Sequence, residues 1–161
     1  MTPISRFLRD DHVRLDALLA RAPYDPAAYA GFRKGLLRHI GMEEKVLLPA
    51  AQRARGGEPL PAAARLRLDH GALAALLVPT PTPAILRTIH GILALHNPIE
   101  EGPDGVYAEC DRLLADQGPA ILAKLDATPE VPVHANVDSD LVMDALGRAL
   151  ARAGYTLEQF R

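Results

Sequence analysis

The stretch LLRHIGMEEKVL, residues 36–47, sets two polar side chains into an otherwise apolar helical pattern. His39 and Glu43 are four residues apart, and Val46 or Leu47 continues the series one turn later. Spacings of three and four residues keep side chains on one face of an α-helix. The stretch therefore predicts a helix whose core-facing stripe carries a histidine and a carboxylate.

Three other apolar segments carry a histidine in the same kind of position. His12 lies at the centre of the first stripe, and His70 lies within the third. The fourth segment contains LALHNPIEE at residues 93–101 and again sets a histidine, His96, four residues before a carboxylate, Glu100. The periodicity thus predicts four helices that each point one histidine inward, and two of them add a carboxylate one turn further on.

Proline- and glycine-rich breaks separate these segments and predict where each helix ends. The predicted helices cover about residues 3–21, 26–55, 62–77 and 83–101. Short connections make consecutive helices antiparallel neighbours. The sequence therefore predicts an all-α fold with an up-down-up-down antiparallel four-helix bundle over residues 1–117.

Residues 118–161 are predicted to form a C-terminal extension of a different character. Residues 128–133 read as an extended, proline-containing linker. An amphipathic helix follows over about residues 138–153, with Gly154 as its C-cap. One side of this helix carries Leu141, Ala145, Leu146, Ala149 and Leu150. We expect the helix to pack on the bundle or on a second copy of the chain, which would make a homodimer.

The composition limits the classes of protein that fit. Apolar residues make up 48% of the chain and aromatic residues only 4%, which favours a helical core of Leu, Ala, Ile and Val. The formal net charge of −2 argues against a nucleic-acid partner, and no segment has the apolar length of a membrane span. The single cysteine, Cys110, excludes an internal disulfide, and the N-terminus lacks a signal-like apolar run. We therefore expect a cytoplasmic protein.

The six inward-facing donors are expected to lie at one depth in the bundle. At about 1.5 Å per residue from the first break, His12 and His39 differ by about 6 Å along the axis. Burying imidazoles and carboxylates without partners is costly. Metal ions remove this cost, because four nitrogens and two bridging carboxylates match two cations with two histidines each. The pattern predicts a two-metal centre with open positions for water, hydroxide or oxygen.

The motifs that carry these donors resemble those of the hemerythrin family, specifically its hemerythrin-like HHE cation-binding domains. They are Asp11-His12, residues 39–44, Leu68-Asp69-His70 and residues 96–101, and the resemblance spans about residues 3–115. It implies a non-heme di-iron centre of two Fe ions with an oxo or hydroxo bridge, although the same donors accept Mn or Zn. Glu43 and Glu100 would bridge the metals. The complete set of implied ligands is His12, His39, Glu43, His70, His96 and Glu100.

The chain departs from the family pattern in three places. Oxygen-carrying members have a second histidine four residues after the one in the third helix, where this chain has Ala74. Pro98 removes a backbone hydrogen bond and predicts a kink in the fourth helix. Residues 102–105 resemble an insertion after the Glu-Glu pair. The kink leaves Glu101 as the alternative ligand to Glu100.

Several other polar residues are weaker candidates for the metal site than the six expected ligands. Four carboxylates next to expected ligands are either solvated or accept a hydrogen bond from a histidine ring and orient it; they are Asp11, Glu44, Asp69 and Glu101. Three tyrosines could approach the site and hydrogen-bond a metal-bound species, although we expect them to fill space instead; they are Tyr24, Tyr29 and Tyr107. His90, His134 and Cys110 are expected to lie outside the metal centre.

The expected function follows from the open metal positions. The resemblance favours a protein that binds or senses dioxygen, peroxide or nitric oxide, or that handles iron. Ferroxidase or oxidase turnover is one alternative, and a helical interaction module with structural metal is another. The sequence shows no substrate pocket and no nucleophile motif, which favours a metal-binding protein over a dedicated enzyme.

Overall fold

The computed structural model describes residues 3–160, and every regular element in this range is helical. A π-helical turn at Glu43–Leu47 joins α2 to α3 without a break, and a 3₁₀ turn at Ala115–Gln117 precedes α7. The all-α prediction is confirmed. The α-helices are α1 (Ile4–Arg21), α2 (Pro26–Met42), α3 (Leu48–Ala54), α4 (Ala63–Leu76), α5 (Pro83–Glu101), α6 (Val106–Leu113), α7 (Gly118–Asp126) and α8 (Asp140–Ala153).

Local sequence explains where the long helices begin and end. The Asp25 side chain accepts hydrogen bonds from two backbone N–H groups at the start of α2, as an N-cap should. Thr82 caps α5 and Ser139 caps α8 in the same way. Gly154 ends α8 with a φ of 87°, a left-handed conformation that glycine adopts without steric cost. The predicted C-cap Gly154 is confirmed.

The second predicted helix contains one irregularity that periodicity did not indicate. The π-helical turn begins at Glu43 and inserts an extra residue into one helical turn. Leu47 is fully buried as a result, whereas Val46 is only half-buried. The turn thus lies at one of the expected ligand positions, where such turns are frequent.

Two apolar clusters fill the interior. The first, which we call the Phe32 cluster, also contains Leu15, Leu36, Leu73 and Ile92. The second, which we call the Leu8 cluster, also contains Met42, Leu66, Tyr107 and Leu125, with Ile99 packed against it. On each of α1, α2, α4 and α5, one buried histidine lies between a residue of one cluster and a residue of the other. A polar layer therefore separates two apolar regions.

The C-terminal extension packs on the rest of the same chain. α8 lies against α4, and Leu146, Leu150 and Ala153 belong to the Phe32 cluster. This arrangement is one of the two that we expected. On the predicted apolar side of α8, Leu146, Ala149 and Leu150 are buried, whereas Ala145 is exposed and Leu141 is 80% exposed. It lies in the first turn of α8, ahead of Leu146, the first buried residue of this helix.

The linker before α8 is fixed to the loop that follows α4. The Val137 N–H donates to the Val78 carbonyl oxygen at 3.0 Å. Asp138 accepts hydrogen bonds from the Thr80 backbone and hydroxyl, both at 2.7 Å. No helix in the described residues is long and apolar enough to cross a membrane.

Candidate metal centre

The four expected histidines meet in the polar layer. They come from α1, α2, α4 and α5, and none of the four is more than 9% exposed. Each lies at a helical spacing of three or four residues from apolar core residues on its own helix, which explains why all four face inward. The residues are His12, His39, His70 and His96.

These histidines and two carboxylates form two groups that could each hold a metal ion. The first donor group is His12, His39, Glu43 and Glu100, and the second donor group is Glu43, His70, His96 and Glu100. Within each group, one ligand atom from every residue lies within 4.8 Å of the others. The structure therefore brings all six predicted site residues together, and both groups share the two glutamates.

The two shared carboxylates each face both groups. Glu43 Oε1 is 3.1 Å from His39 Nε2, and its other oxygen is 3.0 Å from His70 Nε2. Glu100 Oε1 is 2.8 Å from His96 Nε2 and 3.9 Å from His12 Nε2. Both glutamates are 1% exposed. This is the arrangement that bridging carboxylates require.

Pro98 does not displace Glu100 from the layer. α5 continues through this proline as far as Glu101, and Pro98 itself lies on the exposed face of the helix. Glu101, the alternative that the proline suggested, instead forms an ion pair with His12 Nδ1 on the outer side of the ring. The structure thus places Glu100, and not Glu101, in both donor groups.

Four outer carboxylates face the Nδ1 atoms of the four histidines. Each outer carboxylate is the sequence neighbour of a donor residue, but it reaches the histidine of a different helix. The pairs run from α1 to α2, from α2 to α4, from α4 to α5 and from α5 back to α1, so they close a ring. They are Asp11 with His39 Nδ1 at 2.8 Å, Glu44 with His70 Nδ1 at 3.4 Å, Asp69 with His96 Nδ1 at 3.0 Å, and Glu101 with His12 Nδ1.

This ring decides between the two expectations for the outer carboxylates. They are not merely solvated, because each faces the Nδ1 atom of a histidine. When Nδ1 donates to a carboxylate, Nε2 is left as the free nitrogen and points at the centre of the layer. Asp11, Asp69 and Glu101 each form such a hydrogen bond and so orient donors of both groups. Glu44 lies 3.4 Å from His70 Nδ1 without forming a hydrogen bond to it.

Two tyrosines reach the site from outside the four motifs. Tyr107, on α6, is fully buried, and its hydroxyl contacts all four residues of the first donor group. Tyr155, after α8, donates to Asp69 Oδ1 at 2.9 Å, and Arg65 donates to the same oxygen at 2.5 Å. The expectation that Tyr107 only fills space is wrong, because its position follows from the packing of α6 and not from helical periodicity. Tyr24 is exposed.

Burial and the neighbouring carboxylates shift the pKa values of two of the histidines in opposite directions. Burial lowers the pKa of His39, but the charge of Glu43 and the hydrogen bond to Asp11 outweigh it and raise the pKa to about 10. Burial also opposes the shift at His70, where Glu43 and Glu44 raise the pKa to about 8.

The two shared carboxylates shift in opposite directions. Burial raises the pKa of Glu43, but the charge of His39 and several hydrogen bonds outweigh it and hold the pKa well below its usual value. Burial and the negative charge of Glu43 raise the pKa of Glu100 well above its usual value. One buried carboxylate therefore stays ionised while its neighbour tends to hold a proton.

The residues fit a pair of cations. Glu43 Oε2, His70 Nε2 and Glu100 Oε1 are buried and have no hydrogen-bond partner with good geometry among the described residues. Leaving such a polar atom unpaired costs about 1–3 kcal/mol. A metal ion would satisfy these atoms, and imidazole and carboxylate donors suit Fe, Mn and Zn.

A small cavity adjoins the donors. Its volume is about 20 Å³. One water molecule needs about 10–15 Å³, so the cavity admits a ligand of one or two heavy atoms. The apolar residues that line it are Leu15, Leu36, Ile40, Leu73 and Leu93. An open groove of about 580 Å³ between α1 and α5 shares His12, Asp16, Leu93 and Asn97 with the cavity.

The remaining candidates lie outside the metal centre. His90 and His134 are exposed. Cys110 is buried in the Leu8 cluster, and burial raises the pKa of its thiol to about 12, which makes it unreactive. Comparison with models of protein families, with curated proteins and with solved structures yields no match to this chain.

Proposed function

We propose that this protein is a non-heme di-iron protein of the hemerythrin type that binds or senses dioxygen or a related small oxidant. The observation that carries the proposal is the pair of donor groups, each with two histidines, that share Glu43 and Glu100. Two metals in one site need ligands that reach both, and a carboxylate with one oxygen toward each group does so.

The proposal includes an up-down-up-down antiparallel bundle of α1, α2, α4 and α5. Its support is the order in which each helix passes the two apolar clusters. The order alternates from helix to helix, as it must if neighbours are antiparallel. Leu8 precedes Leu15 on α1, Leu36 precedes Met42 on α2, Leu66 precedes Leu73 on α4, and Ile92 precedes Ile99 on α5.

The size and lining of the cavity support a small ligand. About 20 Å³ beside the donors accommodates a diatomic molecule but not an organic substrate. Five aliphatic side chains make much of its wall apolar. An uncharged molecule such as dioxygen or nitric oxide passes apolar side chains at little cost in free energy, because it carries no charge that water would have to stop hydrating.

Iron would supply binding and one-electron chemistry toward a small oxidant. The residues of this chain do the rest. The histidine Nε2 atoms and the shared glutamates would hold the ions, and the outer carboxylates keep the rings in place. The apolar clusters above and below the layer keep it dry, which strengthens every electrostatic contact inside it.

Metal content tests the proposal directly. The protein is prepared without chelator and without a nickel-affinity tag, and metals are quantified before and after anaerobic loading with Fe(II). We expect two iron ions per chain, one for each donor group. The matched controls are His90→Ala and His134→Ala, which remove exposed histidines and should leave the content unchanged. A chain that binds no iron, or only one ion, would contradict the proposal.

A second candidate function, oxidation of Fe(II) with turnover, is favoured by the groove between α1 and α5. Asp16 and Glu101 line this groove, and His12 lines both the groove and the cavity. Carboxylates along an open groove raise the local concentration of cations. The groove thus offers a route by which Fe(II) would reach the layer.

Stopped-flow mixing of the Fe(II)-loaded protein with oxygen separates the two functions. A single, reversible spectral change with a stoichiometric uptake of oxygen supports binding or sensing. Oxygen consumption that continues for as long as Fe(II) is added supports ferroxidase turnover. Asp16→Asn should slow the second process, because Asp16 lines the groove and belongs to neither donor group.

A further inference from the structure

Tyr107 places a fifth oxygen within the first donor group. Its hydroxyl lies 3.1 Å from His12 Nε2, 3.2 Å from His39 Nε2 and 3.0 Å from Glu100 Oε2, and it donates to Glu43 Oε1. Each member of the first donor group is therefore in contact with this one oxygen.

The second donor group has no equivalent. Among the described residues, no tyrosine hydroxyl forms a hydrogen bond to His70 or His96. The nearest counterpart is Tyr155, which contacts Asp69 behind His96 and not the donors themselves. The asymmetry between the groups is thus confined to one oxygen atom at the first.

The distances around the Tyr107 oxygen match the separation of neighbouring ligands around a metal ion. Metal bonds to imidazole and carboxylate are about 2.1 Å long, so two ligands at right angles lie about 3.0 Å apart. Each ligand of an octahedral ion has four such neighbours. The Tyr107 oxygen has four donor atoms within 3.2 Å, which is close to this separation.

In the metal-free chain, hydrogen bonding explains these contacts only when Glu100 holds a proton and donates it to the phenol oxygen. A phenol has one proton, which it can donate to only one carboxylate at a time. Tyr107 nevertheless contacts both Glu43 and Glu100, and all three side chains are buried. A cation that takes the place of the phenol proton satisfies both carboxylates and the phenol oxygen together.

We propose that the Tyr107 oxygen is a ligand of the ion held by the first donor group. The inference rests on the proposed function, because it requires that this group holds a metal. On ligation the ion replaces the phenol proton, which leaves to solvent, and no electron is transferred. The first position then has two nitrogen and three oxygen donors from the chain, and the second has two of each.

This ligand would make the two positions chemically unequal. An anionic phenolate oxygen adds negative charge at the first position and stabilises Fe(III) over Fe(II) there. The second position keeps one more open coordination site. The second position, held by His70, His96 and the two shared glutamates, would therefore be the one that leaves more room for a small ligand.

The test uses the iron-loaded, air-oxidised chain. A phenolate bound to Fe(III) gives a visible charge-transfer band, and excitation within that band enhances the ring vibrations of the phenolate in the resonance Raman spectrum. We expect both signals in the unmodified protein. Tyr107→Phe should lose them and retain two ions. The matched control is Tyr29→Phe, because Tyr29 is a buried tyrosine of the Phe32 cluster whose hydroxyl has no hydrogen-bond partner among the described residues.

The outcomes separate this inference from the proposed function. If the unmodified protein binds two ions and shows no phenolate vibrations, the inference is overturned and the proposed function stands. Signals that persist in Tyr107→Phe also overturn it. A chain that binds no iron overturns both. The spectrum of the unmodified protein decides the question even if Tyr107→Phe fails to fold.

Discussion

The two donor groups use the same residue types, yet each is connected to the rest of the chain in a different way. The first has a tyrosine hydroxyl, that of Tyr107, among its donor atoms. In the second group, the tyrosine does not contact a donor residue directly. Tyr155 donates to Asp69, which in turn faces His96. One tyrosine thus contacts the donor residues themselves, and the other contacts the residue that orients a donor.

This difference shows what the C-terminal extension contributes. Arg65 donates to Asp69 and to the Ala153 carbonyl oxygen, and its guanidinium lies over the Tyr155 ring. The second donor group is therefore coupled to the end of α8. The first donor group depends instead on α6. Variants that act on one group only can test how far the two are independent.

The largest effect is expected where the groups are not independent. Glu43→Ala should abolish binding of both ions, with a loss of affinity of more than about 100-fold, because Glu43 directs one oxygen to each group. Isothermal titration of the metal-free protein with Fe(II) measures this loss. Glu109→Ala removes an α6 carboxylate that pairs with Arg112 and serves as the control. Retention of one tightly bound ion by Glu43→Ala would show that Glu43 does not bridge.

Single histidine variants should separate the groups. His39→Ala removes a donor of the first group only, and His96→Ala removes a donor of the second group only. Each variant is therefore expected to bind one ion in place of two. Metal analysis after gel filtration measures the content. Loss of both ions in either variant would mean that the two positions fill cooperatively.

A smaller loss of metal affinity is expected when the substituted residue is not a donor but helps to orient one. Asp69→Asn weakens the hydrogen bond that orients His96 and should lower the affinity of the second position by about 10–100-fold. Tyr155→Phe should have a weaker effect of the same sign, because Arg65 still holds Asp69. Competition with a metal-binding dye reports both changes. An equal loss at the first position in either variant would contradict this separation of the groups.

A further expected effect concerns pH and the metal-free protein. The pKa of His70 is raised to about 8 and that of His39 to about 10, from an ordinary value of 6.5. A raised pKa in the folded state contributes stability that is complete below the ordinary value and is lost as pH rises through the folded value. The metal-free protein should therefore lose stability above a pH of about 6.5. The contribution of His70 is lost by about pH 8, and that of His39 persists to about pH 10.

Urea unfolding of the metal-free protein across this pH range measures the loss. Metal affinity should rise over the same range, because the histidines must release their protons before they bind a cation. His90→Ala should show the same pH profile, since His90 is exposed and lies outside both groups. Stability that stays constant between pH values of about 6.5 and 10 would contradict the assignment of these protons.

Much of the layer could be predicted from helical periodicity. Spacings of three and four residues identified all six donors, because residues on one stripe of a helix must face the same side. Glu100 was the least certain of the six, because Pro98 predicted a kink that could have turned it away from the layer. Pro98 instead lies on the exposed face of α5, and the helix continues past it. The outer carboxylates could be named but not assigned, since their partners lie on other helices.

Helical periodicity did not predict that two tyrosines would lie at the site. Tyr107 belongs to a short helix that follows the Gly102–Gly105 break, and no spacing connects it to the four stripes. Tyr155 lies beyond α8, whose docking on α4 was left open against docking on a second chain. Dimerisation through this helix and the domain boundary at residue 117 stay predictions.

By itself, the sequence determined that the chain is helical and that each of four helices turns a histidine inward, because both properties follow from local spacing and propensity. Only the tertiary structure decided which outer carboxylate holds which ring, that both glutamates face both groups, and that a phenol oxygen lies at one of them. Those facts depend on distances between helices. Such distances are set by packing across the whole core, and the pattern within a single helix does not contain them.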